Sequence, residues 1–516
     1  MKNKFLKISI TLSCLTGLFL SISCEKDLPT YLEFESAPFA SIDENGGTWK
    51  PVLLASGSQI TIEAPSSTSS EAYQNELADV RDKMNSITGK QKKDITYWTN
   101  NPLIRWNEIA LELIAKYNLI PGPNPDGTYT LPDPTNPDGP PPFPFAHPPY
   151  ACRALAYMSV AQFDGLITAW NYKFQYNRTA PYKQDSSIQY AYPDNNIPSY
   201  PSDGAVVGRA SRLILEAMFP LEKDYLQQKE AEFFNSLILS GGNVQSDIDA
   251  GIEIGNNVAA IALERAANDG MKKAQTPKAV SDSIKAAAYA RFGWAWENLE
   301  VPPRPVGLTP LFGKVKTWNV PNIEAVRPPV PPQLDSEAFQ QDVQILKNYA
   351  DNMNTEWRSI ANFWQDGLGT YTPPGHWNRF ANQFITEDHF NPLRAARTMA
   401  YMNMAIMDSG IGCWDAKYYY HYPRPIQMID NFQTIAGTPN FPSYTSGHSV
   451  FSAAASEVLA YVFPERASLV RGWAEEAAIS RVYGGIHWTF DAFVGTDQGR
   501  EIAQFTINRA KQDGAN

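Results

Sequence analysis

The feature that most constrains this 516-residue chain is an internal repeat that keeps one register over more than a hundred residues. Shifting the sequence by 244 residues aligns Arg153-Ala-Leu-Ala-Tyr-Met with Arg397-Thr-Met-Ala-Tyr-Met, and the register continues without a gap. Further matched pairs are Asp164 and Asp408, Trp170 and Trp414, Lys173 and Lys417, Pro198-Ser-Tyr and Pro442-Ser-Tyr, and Asp247 and Asp491. The register indicates two copies of one folding unit, which we call the first repeat (roughly 150–265) and the second repeat (roughly 394–510).

Apolar residues at helical spacing dominate both repeats, whereas the alternation typical of strands is scarce. We therefore predict an all-α fold of two tandem-duplicated helical bundles that pack about a pseudo-twofold axis. The predicted domains are a signal peptide (1–23), a tether (24–70), an N-terminal helical region with a proline-rich loop (71–149), the first bundle (150–265), a connecting helical region (266–393) and the second bundle (394–516).

The N-terminus has the pattern of an export signal. Lys2, Lys4 and Lys7 precede an apolar run, and the small residues Ser21-Ile22-Ser23 lead to Cys24. This arrangement resembles a bacterial lipobox, with Cys24 as the acylated residue. The mature protein is then exported and tethered by lipid to a cell-envelope membrane, since no later stretch is long and apolar enough to span a bilayer.

The net charge and the cysteine content limit the possible partners of the protein and its possible disulfides. The formal net charge of -11 argues against a nucleic-acid partner, which would require a basic face. Hydrophobic residues make up 43% of the chain, enough for a large core. Cys152 and Cys413 remain in the mature chain, and their pairing in a disulfide and their burial as free thiols are equally open.

The two repeats differ in the residues that carry chemistry. Cations and imidazoles occur in the second repeat at positions where the first has none. Arg424, Gly447, His448, Arg481 and His487 stand opposite Ala180, Asp203, Gly204, Leu237 and Asn243. The two repeats share scaffold residues, but the reactive side chains occur only in the second. This pattern indicates that the second repeat holds a working site and that the first is a degenerate copy.

These residues fit an oxyanion site. Ser446-Gly447-His448 opens an apolar run, so its amide and hydroxyl lie at a predicted helix N-terminus, where an anion is favoured. Lys417, Arg424 and Arg481 add charge-assisted donors. Asp491 follows His487 by four residues and can accept from one imidazole nitrogen, leaving the other as nucleophile or ligand.

The combination of Lys-x6-Arg-Pro, Ser-Gly-His and Ser-Arg-x5-His-x3-Asp resembles the type 2 phosphatidic acid phosphatase (PAP2)/vanadium haloperoxidase superfamily; Thr445 replaces the proline usual before Ser-Gly-His. The resemblance implies that His487 binds vanadium or attacks phosphorus and that His448 is the acid/base. It implies that Lys417, Arg424, Ser446, Gly447 and Arg481 hold the anion's oxygens.

Phe441-Pro-Ser-Tyr-Thr-Ser-Gly-His448 and the segment 480–491 look most like vanadium chloroperoxidases. By this resemblance Trp414 and Phe441 flank the halide, although Trp170 at the matched position also allows a scaffold role for Trp414. Asp366 resembles the carboxylate that orients His448, and a turn aspartate is the alternative. His376 and His421 are predicted as structural histidines, and a position at the entrance of the site is the alternative for each.

The leading function is a vanadate-dependent haloperoxidase that oxidises halide with hydrogen peroxide, with vanadate as its cofactor. The alternative is an exported acid phosphatase that needs no cofactor and hydrolyses phosphomonoesters through phosphohistidine. A surface glycan-binding lipoprotein, with Tyr418-Tyr-Tyr stacking on sugars, is the least favoured class. The partners are therefore small molecules and, through a lipid anchor only, a membrane.

Overall fold

A computed structural model describes residues 36–98, 101–119, 145–299 and 304–515, and within these ranges the regular structure is helical, with no strand. The N-terminal helices are α1 (Glu71–Asn85), α2 (Gly89–Trp98) and α3 (Pro102–Tyr117). The first repeat contains α4 (Pro148–Tyr176), α5 (Pro181–Gln184), α6 (Asp203–Met218), α7 (Lys223–Leu239) and α8 (Gln245–Ala267). The connecting region contains α9 (Lys278–Phe292), α10 (Glu337–Asp351), α11 (Thr355–Phe363) and α12 (Thr372–Glu387). The second repeat contains α13 (Pro392–Tyr420), α14 (Pro425–Met428), α15 (Gly447–Val462), α16 (Ala467–Tyr483) and α17 (Thr489–Ala510). The all-α fold class is thus confirmed.

The helices of the two repeats follow the register of the sequence. Each of the five helices from α4 to α8 has a counterpart 244 residues later, and the ends agree except that α17 stops one residue earlier. Local signals explain the agreement. Ser202 and Ser446 cap α6 and α15 by accepting backbone N–H bonds. Asn177 and His421 end α4 and α13 in the left-handed region, with φ of 49° and 51°.

The two longest helices, α4 and α13, pack against each other at the centre of the molecule. Both are buried around almost their whole circumference, as expected for helices that are apolar on every side. Asn403 Nδ2 donates to Ser159 Oγ at 2.9 Å, and these two residues occupy the same position of the two repeats. A residue that contacts its own counterpart lies on a twofold axis, so the seam has the pseudo-twofold arrangement that the repeat predicts.

The described part of the predicted tether contacts the first repeat. Residues 36–70 pack on the first repeat, because the buried carboxylate of Asp164 accepts the N–H groups of Val52, Leu53 and Leu54. In the second repeat Asp408 accepts three N–H groups of residues 318–320 in the same way. A buried carboxylate requires such donors, and the segment that supplies them becomes part of the core.

Two other expectations concern the proline-rich loop and the membrane. Helix α4 begins at Pro148, inside the predicted loop, because proline is well tolerated in the first turn of a helix. Residues 120–144 of that loop, and Cys24, lie outside the described residues. Across the described part of the chain, no helix has the length and apolar character needed to cross a bilayer. The predicted domain boundaries stay a prediction.

Candidate active site

Five segments of the second repeat meet at one end of a cavity of about 880 Å³. They are the C-terminal part of α13, the loop before α15, the start of α15, the end of α16 and the turn into α17. Predicted residues that line the cavity are Asp366, Trp414, Phe441, Gly447, His448, Arg481 and His487. Those buried directly behind its wall are Lys417, Arg424, Ser446 and Asp491. All eleven therefore lie in or around one pocket.

His487 lies between a carboxylate and a cation. Its Nδ1 is 2.8 Å from Asp491 Oδ2, as the four-residue spacing predicts, and its Nε2 is 3.1 Å from Arg424 Nη1. The acceptor at Nδ1 places the ring hydrogen there, which leaves the Nε2 lone pair directed toward the guanidinium. Burial, followed by Arg424 and Lys417, holds the pKa of His487 well below its usual range. The imidazole is therefore a neutral base in the anion-free site.

Asp491 is held by more than His487. Ser443 Oγ donates to its Oδ2 at 2.5 Å, and the backbone N–H of Trp488 donates to the same oxygen at 3.2 Å. Burial raises the pKa of Asp491, and these hydrogen bonds oppose the shift. Sequence reasoning missed Ser443, since its counterpart Ser199 in the first repeat made it look like scaffold. Its position on the His487 partner makes it a positioning residue for the imidazole.

The two arginines are fully buried. Arg424 donates to the carbonyls of Phe441 and Ile486, and Arg481 donates to the carbonyl of Ala361 at 2.8 Å. Burial lowers the pKa of each guanidinium to about 10, so both remain charged at neutral pH. Among the described residues, no carboxylate is in direct hydrogen-bond contact with either guanidinium, and two such buried charges favour the binding of an anion.

Lys417 has a more structural position than predicted. Its Nζ donates to the carbonyls of Pro442, Ser443 and Thr445, at 2.6 to 2.9 Å. These three bonds use all the hydrogens of an ammonium, so contact with a bound oxyanion would require replacing one of them. Burial lowers the pKa of Lys417. The side chain thus braces the loop before α15 and contributes its charge from behind it.

The start of α15 supplies the backbone donor that the sequence predicts. Ser446 is the N-cap, and Gly447 is the first helical residue, whose N–H has no partner within the helix. A Cβ at Gly447 would meet only Phe451 and Trp414, at 3.8 and 3.9 Å, so the space beside this glycine is open. The helix N-terminus therefore faces an unfilled part of the cavity, as an oxyanion site requires.

The expected contact between Asp366 and His448 is not formed. Asp366 instead accepts from His376 Nδ1, at 3.1 Å, while its Oδ2 lies 3.9 Å from His448 Nε2. His448 Nε2 has no hydrogen-bond partner among the described residues. Asp366 thus pairs with His376, the nearer of the two imidazoles. The sequence contains no signal for this pairing, because it depends on how distant segments pack. His376, predicted as structural, is therefore part of the cavity wall.

His448 itself is close to the expected position. It follows Gly447 on α15 and lines the cavity near Arg481. Burial, followed by Arg481 and His376, holds the pKa of His448 well below its usual range, and the backbone of Trp364 and Gln365 acts in the opposite direction. A neutral imidazole with a free Nε2 can accept or return a proton at the cavity surface.

Two aromatic rings of the cavity wall lie beside the buried cations. The Trp414 and Phe441 ring centroids are 5.0 Å apart. Lys417 Nζ lies 4.9 Å and Arg424 Cζ 5.1 Å from the Phe441 centroid, as in cation–π contacts. The halide role of these two rings stays a prediction.

The remaining predictions outside the site also have outcomes. His421 is structural, because its Nδ1 accepts the N–H of Trp296. Cys152 and Cys413 are buried free thiols. Tyr418 and Tyr420 are buried and donate to backbone carbonyls, so they offer no exposed surface for sugar stacking. Within the described residues, no group of three or more His, Cys, Asp or Glu side chains could hold a metal cation.

Comparisons with known proteins agree with this geometry. Residues 397–513 match the PAP2 superfamily. A non-specific acid phosphatase of Salmonella typhi is 28% identical over 192 residues, which cover 35% of this chain and 70% of that protein. The crystal structure of the first bacterial vanadium-dependent iodoperoxidase superposes with a TM-score of 0.56 at 24% identity, covering 70% of this chain and 91% of that one. A holo-type bacterial vanadium-dependent chloroperoxidase gives a TM-score of 0.50 at 14% identity, with coverage of 71% and 93%.

The fold is thus that of the vanadium haloperoxidases, and the site is built on the segment that the superfamily profile covers. Residues 397–513, which carry most of the site, are thus similar to the PAP2 superfamily, and the comparisons together point to an enzyme.

Proposed function

We propose that this chain is a vanadate-dependent haloperoxidase-type enzyme, which oxidises a halide with hydrogen peroxide. The observation that carries the proposal is the position of His487. His487 lines the cavity, its Nε2 lies 3.1 Å from Arg424 Nη1, and Asp491 holds the opposite nitrogen. A bound oxyanion would accept from Arg424 in place of Nε2 and leave this lone pair free. A lone pair in this environment is suited to bind the central atom of a tetrahedral oxyanion, whose negative oxygens the arginines neutralise.

The donor set fits vanadate. Arg424 and Arg481 are charged and buried, the Gly447 N–H opens toward free space, and His448 Nε2 is unpartnered. Bound vanadate would supply a Lewis acid that activates peroxide toward attack by halide. In that reaction His487 Nε2 would hold the vanadium, the arginines and the Gly447 N–H would hold oxygens, and His448 would move the peroxide proton. Phe441 and Trp414 would exclude water from the halide.

The second candidate is phosphomonoester hydrolysis, which the curated acid phosphatase relative favours. Here His487 Nε2 attacks phosphorus and the bond from phosphorus to the ester oxygen breaks. His448, which takes up a proton when the anionic substrate binds, donates that proton to the departing ester oxygen. Water then attacks the phosphohistidine, with His448 as base, and releases phosphate. The same residues serve both reactions because phosphate and vanadate share shape and charge.

Two assays on one preparation decide between them. Protein loaded with vanadate is given hydrogen peroxide and iodide, bromide or chloride, and hypohalous acid is followed through halogenation of a dye. Vanadate-free protein is given 4-nitrophenyl phosphate. Halide oxidation that depends on vanadate supports the leading proposal. Phosphate release without halide oxidation would replace it by the second candidate.

We also propose that the protein is exported and anchored to a bacterial cell-envelope membrane through a lipid on Cys24. The apolar run and small residues before Cys24 support this proposal. Incorporation of labelled fatty acid into the full chain, and its loss in Cys24→Ala, test the anchor. Equal labelling of the variant would contradict it.

A further inference from the structure

The cavity is much larger than an anion needs. The oxyanion groups occupy one end of a space of about 880 Å³, whereas a tetrahedral oxyanion has five heavy atoms. Cavities of roughly 300–1,000 Å³ hold drug-sized organic molecules. The part lined by residues outside the second repeat, which we call the outer cavity, therefore has room for an organic group next to the anion.

The outer cavity is walled mainly by residues that lie outside the second repeat. They come from the end of α3, the start of α4, the connecting region and α12. Members of this wall are Ala115, Phe145, His147, Leu308, Phe363, Leu368, Tyr371 and Pro373. The wall also contains the polar residues Asn118, Arg304, Asn362, Gln365 and Thr370, but most of the accessible surface of the cavity is apolar, which suits an uncharged organic ring.

His147 is a buried polar residue of this wall. Its side chain is almost fully buried, with the residue 6% exposed, and its Nδ1 has no hydrogen-bond partner among the described residues. It precedes α4 but forms no side-chain cap bond. Burial, followed by Arg304, lowers the pKa of His147 to about 3, so the ring is neutral at neutral pH. A buried polar atom without a protein partner requires an explanation, and a water, an ion or a bound ligand can each supply the missing partner.

The start of α4 differs from the start of α15 in what it offers a ligand. Helix α4 begins with Pro148 and Pro149, which have no N–H groups, whereas α15 begins with Gly447. The anion-binding donors of a helix N-terminus are therefore missing from the first two positions of α4. The neutral His147 ring therefore offers a ligand an uncharged hydrogen-bond partner, beside the Arg304 guanidinium of the same wall.

The rim of the outer cavity is apolar and open to solvent. Phe363 and Leu368 are 56% and 55% exposed. The Phe145 ring is 5.1 Å from the His147 ring in an edge-on arrangement, and Arg304 Cζ lies 5.6 Å from the Phe145 centroid. Exposed apolar side chains that border a cavity are typical of entry surfaces for organic ligands.

We propose that the outer cavity binds the aromatic ring of an organic substrate, with His147 Nδ1 as its polar contact. The inference rests on the proposed function, because it identifies what lies beside the oxyanion of that site. The ring can be joined to the anion, as in an aryl phosphate, or separate from it, as in a phenol that is halogenated. In both cases the wall of the outer cavity would contact an aromatic ring.

Calorimetric titration of the full-length protein tests the first source with phosphonates, which are not hydrolysed. The probes are inorganic phosphate, methylphosphonate, phenylphosphonate and biphenyl-4-phosphonate. Affinity is expected to rise about tenfold or more from the methyl to the biphenyl compound, because each ring buries apolar surface. Phenol titrated into phosphate-saturated protein tests the second source, and saturable binding is expected if the ring is separate.

Three variants locate the ring. Phe363→Ala is expected to weaken biphenyl-4-phosphonate several-fold, whereas Phe493→Ala, an equally exposed phenylalanine outside the cavity wall, should have no effect. His147→Leu should leave the phosphonates nearly unchanged and weaken binding of 4′-hydroxybiphenyl-4-phosphonate and of phenol. All variants should bind inorganic phosphate like the unmodified protein, which shows that they fold.

The outcomes separate this inference from the proposed function. If inorganic phosphate binds but the phosphonates show equal affinities and phenol does not bind, the aromatic site is wrong and the anion site stands. If neither phosphate nor any phosphonate binds, the anion site of the proposed function fails, and the present inference fails with it. If affinity rises along the series but Phe363→Ala has no effect, the ring binds elsewhere and the proposed wall is wrong.

Discussion

The two repeats build the same frame around two different centres. In both, a lysine from the long helix donates to the carbonyls of the loop before the next helix: Lys417 to Pro442 and Ser443, and Lys173 to Pro198 and Ser199. In the second repeat this frame borders a cavity of about 880 Å³, and in the first a pocket of about 90 Å³. The scaffold shared by both repeats thus consists of this lysine, the loop and the start of the next helix. The chemistry depends on the other side chains around that scaffold.

The first repeat satisfies its own charges. Asp203, at the position of Gly447, places a carboxylate 2.9 Å from Lys173 Nζ. Leu237, at the position of Arg481, fills the space that a side chain at Gly204 would need. An internal carboxylate replaces the external anion, and an apolar side chain replaces a buried cation. A few substitutions therefore distinguish the first repeat, whose buried lysine has an internal carboxylate partner, from the second, whose buried cations favour a bound anion.

The buried aspartates of the two centres differ only in their partner. Asp247 forms a 2.9 Å ion pair with Arg178, whereas Asp491 accepts from His487. Both also accept from a serine of the preceding loop. The same carboxylate is therefore a structural anchor in one repeat and the partner of a reactive imidazole in the other.

Exchanging His487 for its counterpart should have the largest effect. We expect His487→Asn, which introduces the residue type of Asn243, and His487→Ala to lower halide oxidation or phosphate release by at least about 10³-fold, because the nucleophile or ligand is lost. Steady-state rates of both assays measure the effect. Asn243→Ala is the matched control in the first repeat and should retain the activity. Full turnover by His487→Ala would refute the assigned site.

An aspartate introduced at the position that matches Asp203 should prevent anion binding in the second repeat. In Gly447→Asp the new side chain enters open space at a helix start, where aspartate is favourable. Its charge would repel a bound oxyanion, and we expect phosphate and vanadate to bind about 10²-fold more weakly. Calorimetric titration measures the affinities. Gly447→Ala should bind far better than Gly447→Asp, and similar affinities for the two variants would show that charge is not the cause.

Sequence predicted the parts of the site that depend on local spacing or on the repeat. The pairing of His487 with Asp491 follows from four residues of separation, and the N-terminal position of Gly447 follows from the apolar run after it. Contacts between distant segments had no such signal. One example is the hydrogen bond between His376 and Asp366, and another is the wall of the outer cavity that contains His147. These depend on how the connecting region packs over the second repeat.

The imidazoles make anion binding depend on pH in a defined direction. The pKa values of His448 and His487 are lowered by burial and then by neighbouring cations, and a bound anion raises them again. Binding then takes up protons, so affinity should increase as the pH falls from about 7 to 5, by up to about tenfold per unit for each proton taken up. Sulfate is a suitable competing probe because its own charge is constant in this range.

His448→Gln should flatten this pH dependence, since one of the two titrating groups is removed. A slope that is equal in the variant and the unmodified protein would assign the proton to another group. The first repeat makes the contrast sharper, because neither of these two histidines has a titrating counterpart there: Gly204 and Asn243 occupy the two positions.

The smallest effects should distinguish the two matched tryptophans. Trp414 Nε1 donates to the carbonyl of Leu308 and Trp170 Nε1 to that of Ile42. The Leu308 carbonyl also accepts from Tyr418, so it keeps a partner in Trp414→Phe. We expect Trp170→Phe to lower the free energy of unfolding by about 1–3 kcal/mol and Trp414→Phe by less. Because Trp414 lines the cavity and Trp170 does not line the pocket of the first repeat, only Trp414→Phe should change the KM for halide, by a few-fold. Denaturant titration and halide kinetics on the same two variants test both halves of the contrast, and an unchanged KM in Trp414→Phe would make Trp414 scaffold in both repeats.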